Sequence, residues 1–235
     1  MNIALILSGG TGVRLGLDIP KQYIEVHGKP VISYCMESLS NHNKIHAIHI
    51  VAAPLWQKQI ESWLSASDIR KKFKGFSSPG SSRQLSIVNG LKDIRKYADD
   101  SDCIFIHDAA RPLLSDKQIT ECLNAICGYD GVLPVLPMKD TVYRSKDGKS
   151  VDSLLKRNEI YAGQAPEVFR LGKYYEANER LLPEKILKIN GSTEPAVMAG
   201  MNIAMIPGEE RNFKITTSAD LERFYNIVKN RDHLK

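Results

Sequence analysis

Short β-rich apolar runs alternate with longer stretches of helical periodicity along nearly the whole chain, and this alternation constrains the fold more than any other feature. Residues 2–7 read as a strand that stops at Ser8-Gly9-Gly10. Further strands are expected at 46–52, 103–106, 131–136 and 201–206, with 71–76 a strand or a loop. Helices are expected at 31–39, 56–64, 85–97, 116–126, 173–182 and 219–229. A chain written this way forms an α/β fold, a mostly parallel sheet with helices on both faces. The strand ends at Ser8 and His107 then share one edge, where such folds bind ligands. Between residues 138 and 164 the rhythm breaks. Asp140-Thr141-Val142-Tyr143-Arg144 is β-rich, Lys146-Asp147-Gly148-Lys149 is a turn, and 151–160 leads back. That is a hairpin signal, and a hairpin needs a surface to rest on, in its own domain or in a neighbouring subunit.

Composition narrows the class. Of 235 residues, 43% are apolar and 25% charged, so the chain has the balance of a folded protein rather than a disordered one. No apolar run approaches the roughly 18 residues a membrane span requires. The opening Met-Asn-Ile-Ala-Leu-Ile-Leu lacks a basic start and reads as a strand rather than a leader, so a soluble, cytoplasmic protein is expected. The net charge of +5 is spread along the chain, which argues against a nucleic-acid-binding tail and suits a small anionic substrate. Of the four cysteines, Cys122 and Cys127 stand five apart without a nearby His, so they lack zinc-site spacing. His42, His46 and His49 cluster at the start of a strand and make a weak metal motif.

Four segments carry the chemistry. In Leu7-Ser8-Gly9-Gly10-Thr11-Gly12-Val13-Arg14, glycines directly after a strand let backbone N–H groups approach phosphate oxygens. Arg14 and Lys21 add cations there. The glycine spacing is one residue too long for a dinucleotide fingerprint, no acid ends the second strand, and no Walker-type Gly-Lys-Ser/Thr is present. The second segment is His107-Asp108-Ala109-Ala110-Arg111-Pro112. Its carboxylate is a candidate for Mg²⁺, directly or through water, while the bland reading is a solvated turn with Asp108 paired to Arg111. In the third, around Gly80, Arg83 and Ser86, Ser82 suits a helix N-cap without any ligand. In the fourth, 212–220, Thr217 or Ser218 suits a cap, and Lys214 is either a site cation or an ordinary surface lysine.

In this order and spacing, these segments resemble one family, the cytidylyltransferases acting on 2-C-methyl-D-erythritol 4-phosphate and on ribitol 5-phosphate. The matching pieces also include Lys-Asp-Thr at 139–141, Lys-Arg-Asn at 156–158 and Asn-Phe-Lys-Ile-Thr-Thr at 212–217, so the resemblance runs from residue 3 to about 225. It implies a Rossmann-like nucleotidyltransferase fold as a single domain over 1–235. It also implies a homodimer in which a protruding β-arm at 138–164 is exchanged between subunits. The reaction implied is attack of a polyol phosphate on the α-phosphorus of CTP, with Mg²⁺ as cofactor and pyrophosphate leaving. Arg14, Lys21 and Lys214 then match the catalytic cations. Leu7, Ser8, Gly9, Gly10, Thr11, Gly12, Gly80, Arg83, Ser86 and Ala109 match nucleotide contacts, and Asp108, Arg111, Thr141, Arg157 and Thr193 match contacts to the acceptor. The methylerythritol members commonly carry Thr-Pro-Gln where this chain has Ala165-Pro166-Glu167, and Thr-Asp where it has Thr193-Glu194. These departures lean toward a sugar-alcohol phosphate such as ribitol 5-phosphate, unless Glu167 simply faces solvent. An NAD(P)-dependent oxidoreductase and a catalytically silent nucleotide-binding protein are the alternatives from other classes.

Overall fold

The computed structural model describes residues 1–10, 19–65 and 68–232. Its first strand, β1 (Asn2–Leu7), sits in mid-sheet with a partner on each side. A small hairpin, β2 (Glu25–Val26) with β3 (Lys29–Pro30), leads into α1 (Val31–Asn41). Then follow β4 (Ala47–Val51), α2 (Pro54–Ser65), β5 (Phe73–Ser77), α3 (Arg83–Ile94), β6 (Cys103–Asp108), α4 (Asp116–Ala125) and β7 (Gly131–Pro137). The strands β8 (Tyr143–Arg144), β9 (Ser153–Leu154), β10 (Tyr161–Gly163) and β11 (Glu167–Arg170) precede α5 (Leu171–Glu179), α6 (Glu194–Met198), β12 (Ile203–Pro207) and α7 (Ser218–Asp232).

The main sheet runs β5-β4-β1-β6-β11-β7, with β10 and β12 also paired to β7. The β1–β4, β1–β6, β4–β5 and β7–β12 pairs are parallel, whereas β11 is antiparallel to both β6 and β7. The period-two pattern of β1 explains the layering. Ile3 and Leu5 face Ile87, Leu91 and Tyr174 of α3 and α5, while Ala4 and Ile6 face Ile32, Met36 and Leu39 of α1. Contact on the α3 side is close enough that a Cβ at Gly90 would lie 2.6 Å from Leu5 Cδ1. A third apolar group, with Val31, Ile215 and Phe224, seats α7. Among the described residues, no helix is long and apolar enough to cross a membrane.

The expected elements are present, the short β2, β3, β10 and α6 appear besides them, and three further differences bear on the site and the arm. β6 runs on to Asp108, so His107 and Asp108 lie within the strand instead of after it; parallel pairing continues as Ile6↔His107 and Leu7↔Asp108. The 167–170 strand had no sequence signal, because four residues with charged ends show no alternation. The hairpin is present as β8–β9, but it forms its own two-stranded sheet. Its turn is tied by Asp147, whose Oδ1 accepts from the Lys149 and Ser150 amides, both at 2.8 Å. Tyr143, Val151 and Leu154 on this hairpin are exposed.

Two histidines are buried as neutral strand residues. His49 Nε2 bonds Ser77 Oγ at 2.8 Å, and Ser77 in turn donates to Asp93. His107 Nε2 bonds the Arg111 carbonyl at 2.9 Å and so closes the turn after β6. Burial lowers both from 6.5 to about 4. Each depressed imidazole therefore adds stability above pH 6.5 that is lost as pH falls from 6.5 toward 4, about 2 kcal/mol apiece by pH 5. Urea unfolding at pH 7 and pH 5 should show that drop, with His49→Gln removing its share. An unfolding free energy equal at the two pH values would contradict it.

Candidate active site

The C-terminal ends of β1 and β6 meet at a cavity of about 490 Å³, lined by the glycine turn after β1, the 80–86 segment and the Asp108 edge. The glycine side is built by close approach. A Cβ at Gly9 would lie 2.5 Å from Pro79 Cβ, and one at Gly80 would lie 2.4 Å from Leu85 Cβ, so both positions need glycine. Gln22 Nε2 clamps the turn by donating to Ser8 O at 2.8 Å and Gly10 O at 2.7 Å. Tyr23, whose ring lies 4.5 Å from Trp56, donates its hydroxyl to Ser8 O. These contacts carry Lys21 into the cavity wall.

Opposite, Ser82 caps α3 by accepting from Leu85 N, as its position predicts. The cap sets Arg83 at the first helical residue, against Asp108. Arg83 Nε and Nη2 reach Asp108 Oδ1 at 3.2 and 3.0 Å, Lys214 Nζ reaches Oδ2 at 2.9 Å, and Arg111 Nε stands 3.7 Å from Oδ2. Burial alone would raise the Asp108 carboxyl, but Arg83 and Lys214 hold it well below the usual carboxylate range. This overturns the solvated-turn reading and places Lys214 in the site. Lys214 is anchored from behind. Gln164 exchanges bonds with the Glu209 backbone in both directions, at 2.9 and 3.0 Å. Asn212 Nδ2 donates to Ala165 O at 2.8 Å, and Arg111 Nη1 donates to Asn212 O at 2.7 Å.

Of the expected site residues, Leu7, Gly9, Gly10, Lys21, Gly80, Arg83, Ser86, Asp108 and Lys214 line this one cavity. Ser86 Oγ is engaged internally, accepting from Gly80 N and donating to Ser82 O. Ser8 points its hydroxyl at Tyr23. Ala109 is not at the wall; it is packed in the core, and Ala110 takes the wall position because the turn after β6 swings there. Arg111 stands behind Asp108, as expected. Thr141 and Arg157 are exposed, and Arg157 bonds the Lys139 carbonyl. Thr193 Oγ1 lies 3.5 Å from Glu167. Thr11, Gly12 and Arg14 lie outside the described residues.

Three groups went unread. Gln22 sits inside a quoted motif, but nothing in its type marks it as a clamp. Gln164 and Asn212 act through backbone atoms that only the fold brings near. Glu167 does not face solvent; it is buried beside Arg83 and Ser192.

The donor set does not fit direct coordination of a metal by Asp108, since Arg83 takes one oxygen and Lys214 the other. The described residues also hold no group of three or more His, Cys, Asp or Glu suited to a metal ion.

Asp108→Ala should leave three cations without their shared partner and lower unfolding stability by on the order of 3 kcal/mol. The same depressed carboxyl makes the wild type lose stability as pH drops below the unfolded value near 3.8, whereas the variant lacks that acid limb. Urea unfolding of both proteins checks this, and a variant as stable as wild type would refute the caged-carboxylate reading.

The family described as 2-C-methyl-D-erythritol 4-phosphate cytidylyltransferase, IspD, matches residues 2–230. The chain is 34% identical over 228 residues to the bifunctional enzyme IspD/IspF of Granulibacter bethesdensis; the match covers 94% of this chain and about half, 54%, of that protein's length. It is 26% identical over 234 residues to the ribitol-5-phosphate cytidylyltransferase of Lacticaseibacillus paracasei, covering 99% of this chain and 100% of that protein. The structure of a 4-diphosphocytidyl-2C-methyl-D-erythritol synthase from Anaerococcus prevotii superposes with a TM-score of 0.82 at 25% identity, over 97% of this chain and 96% of that one. A strand-end cavity with this donor set, on a chain matched almost end to end, leads to one conclusion: the protein belongs to the IspD family and is a cytidylyltransferase.

Proposed function

We propose that the protein transfers CMP from CTP to an unbranched sugar-alcohol phosphate such as D-ribitol 5-phosphate, releasing pyrophosphate and forming a CDP-polyol. The observation that carries the transfer chemistry is the convergence of the glycine turn, Lys21, Arg83, Asp108 and Lys214 on one cavity. The acceptor phosphate oxygen bonds the α-phosphorus as the bond to pyrophosphate breaks. Charge builds on the phosphoryl oxygens, where fixed cations in a partly enclosed site lower the barrier. Lys21 and Lys214 are those cations. Lys214 spends one of its three N–H donors on Asp108, which orients the ammonium and leaves two donors for substrate. Asp108 is too strongly held in its charged form to act as a base. None is required, because a phosphate monoester is already anionic near neutral pH. Mg²⁺ would supply charge neutralisation on the triphosphate it accompanies; among the described residues no group of three or more His, Cys, Asp or Glu would hold it.

Two observations support the polyol acceptor: Glu167 stands where methylerythritol members commonly carry Gln, and the ribitol-5-phosphate relative is matched along its full length. The competing acceptor, 2-C-methyl-D-erythritol 4-phosphate, is favoured by the higher identity of the bifunctional relative. The arm is read as an exchange element that sets Thr141 and Arg157 against a second subunit's acceptor, which accounts for the exposed Tyr143, Val151 and Leu154.

Pyrophosphate release with CTP, Mg²⁺ and each of the ribitol, methylerythritol, arabinitol and glycerol phosphates tests the reading. Ribitol 5-phosphate is expected to lead methylerythritol phosphate by about tenfold or more in kcat/KM, and the reverse order refutes the acceptor. Lys21→Ala should cost about 100-fold in kcat with unchanged unfolding, and wild-type turnover there refutes the cation's role.

A further inference from the structure

Glu167 is an acid in an expensive place: burial pushes its carboxyl up, against the opposing pull of Arg83 and the Ser192 hydroxyl. It is 8% exposed, on the antiparallel strand β11, directly across from Ile106 of β6. Paired residues share a sheet face, and so do residues two apart, so Glu167 and Asp108 project from the same face toward α3. Between them lies Arg83. Its Nη2 is 3.0 Å from Asp108 Oδ1 and 3.8 Å from Glu167 Oε2, and its Nη1 donates to Ser192 Oγ at 2.7 Å. Ser192, 1% exposed, donates its hydroxyl to Glu167 Oε2 while Tyr174 donates to its carbonyl at 2.6 Å. Thr193 Oγ1 stands 3.5 Å from the other Glu167 oxygen. A continuous polar chain thus joins Lys214, Asp108, Arg83, Ser192, Glu167 and Thr193.

We propose that Glu167 is a positioning residue: through Ser192 it locks the Arg83 guanidinium and the Ser192–Thr193 turn into a single arrangement, tying the nucleotide side of the cavity to its acceptor side. This rests on the assignment of Arg83 to CTP and Thr193 to the acceptor made above. The physical argument is one of cost. A buried carboxylate must be desolvated; an amide of the same shape avoids that cost but replaces the charge-assisted bond from Ser192 with a weaker neutral one. Stability alone therefore gives no reason for an acid here. Orientation does. A guanidinium held at one Asp108 oxygen swings about that contact, whereas one also bonded through Nη1 to a Ser192 hydroxyl that Glu167 keeps in place has its plane fixed.

The test uses the full chain with CTP, Mg²⁺ and ribitol 5-phosphate, comparing wild type, Glu167→Gln, Ser192→Ala and the double variant by initial rates and thermal unfolding. Glu167→Gln is expected to unfold at or above the wild-type midpoint while KM for both substrates rises about tenfold and kcat changes far less. Ser192→Ala should raise the same two constants, and the double variant should be no more than about twofold worse than Ser192→Ala alone, since both changes act on one link. Both KM values within twofold of wild type, multiplying effects, or a Glu167→Gln protein that is destabilised or fails to fold overturn the proposal. If wild type turns over no polyol phosphate, the acceptor reading fails instead. Calorimetric CTP affinity then decides this point separately: about tenfold weaker binding to Glu167→Gln supports it, and equal binding overturns it.

Discussion

One carboxylate organises the site. Asp108 ends a central strand and collects Arg83 from the start of α3, Lys214 from the loop before α7, and Arg111 from the turn that follows it. The start of α3 and the loop before α7, 25 and 106 residues away, are thereby drawn to the end of β6. Removing a carboxylate from water is costly, and only this density of positive charge makes it favourable. The consequence is chemical as well as structural. A carboxyl held this firmly in its ionised form is a poor proton shuttle, and the proposed transfer therefore relies on placed charge.

The opposite wall is assembled by steric means. Gly9 and Gly80 permit two turns to approach at distances no side chain would tolerate, and Gln22 satisfies the carbonyls that this exposes. One wall is therefore backbone held by packing and amide bonds, and the other is a ring of charges held by Asp108. In the proposed reaction the phosphate chain lies between these two walls, with Lys21 on one side and Lys214 on the other. Behind the charged wall, Gln164 and Asn212 bind the Lys214 loop to the end of β10, so the arm segment and the lysine share one anchor.

Much of this was legible beforehand. β1 and β6 announce themselves as short apolar runs, α1 by helical spacing, and Ser82 and Thr217 by their place before helices; Thr217 Oγ1 does accept from Asp220 N. The glycine turn, Lys21, Asp108 and Lys214 were each readable as site residues. Sequence left open whether Lys214 was ordinary surface and whether Asp108 merely paired in solvent, because a residue's partners across a hundred positions leave no local trace. The Glu167–Arg170 strand was unreadable for a related reason. Its pairing with β6 and β7 comes from the sheet, while its own four residues show no alternation.

What the amino-acid order decided by itself is therefore the layered α/β plan and the set of chemical groups available. Hydrophobic period and turn residues act over a few positions and need no tertiary partner to be read. Only the folded chain decided how those groups are charged and aimed. It inserted an antiparallel strand beside β6, brought Glu167 and Asp108 to one face, and set Arg83 between them. Electrostatic energy depends on distance and on exclusion of water, and both are properties of the assembled sheet and helices rather than of any segment within them.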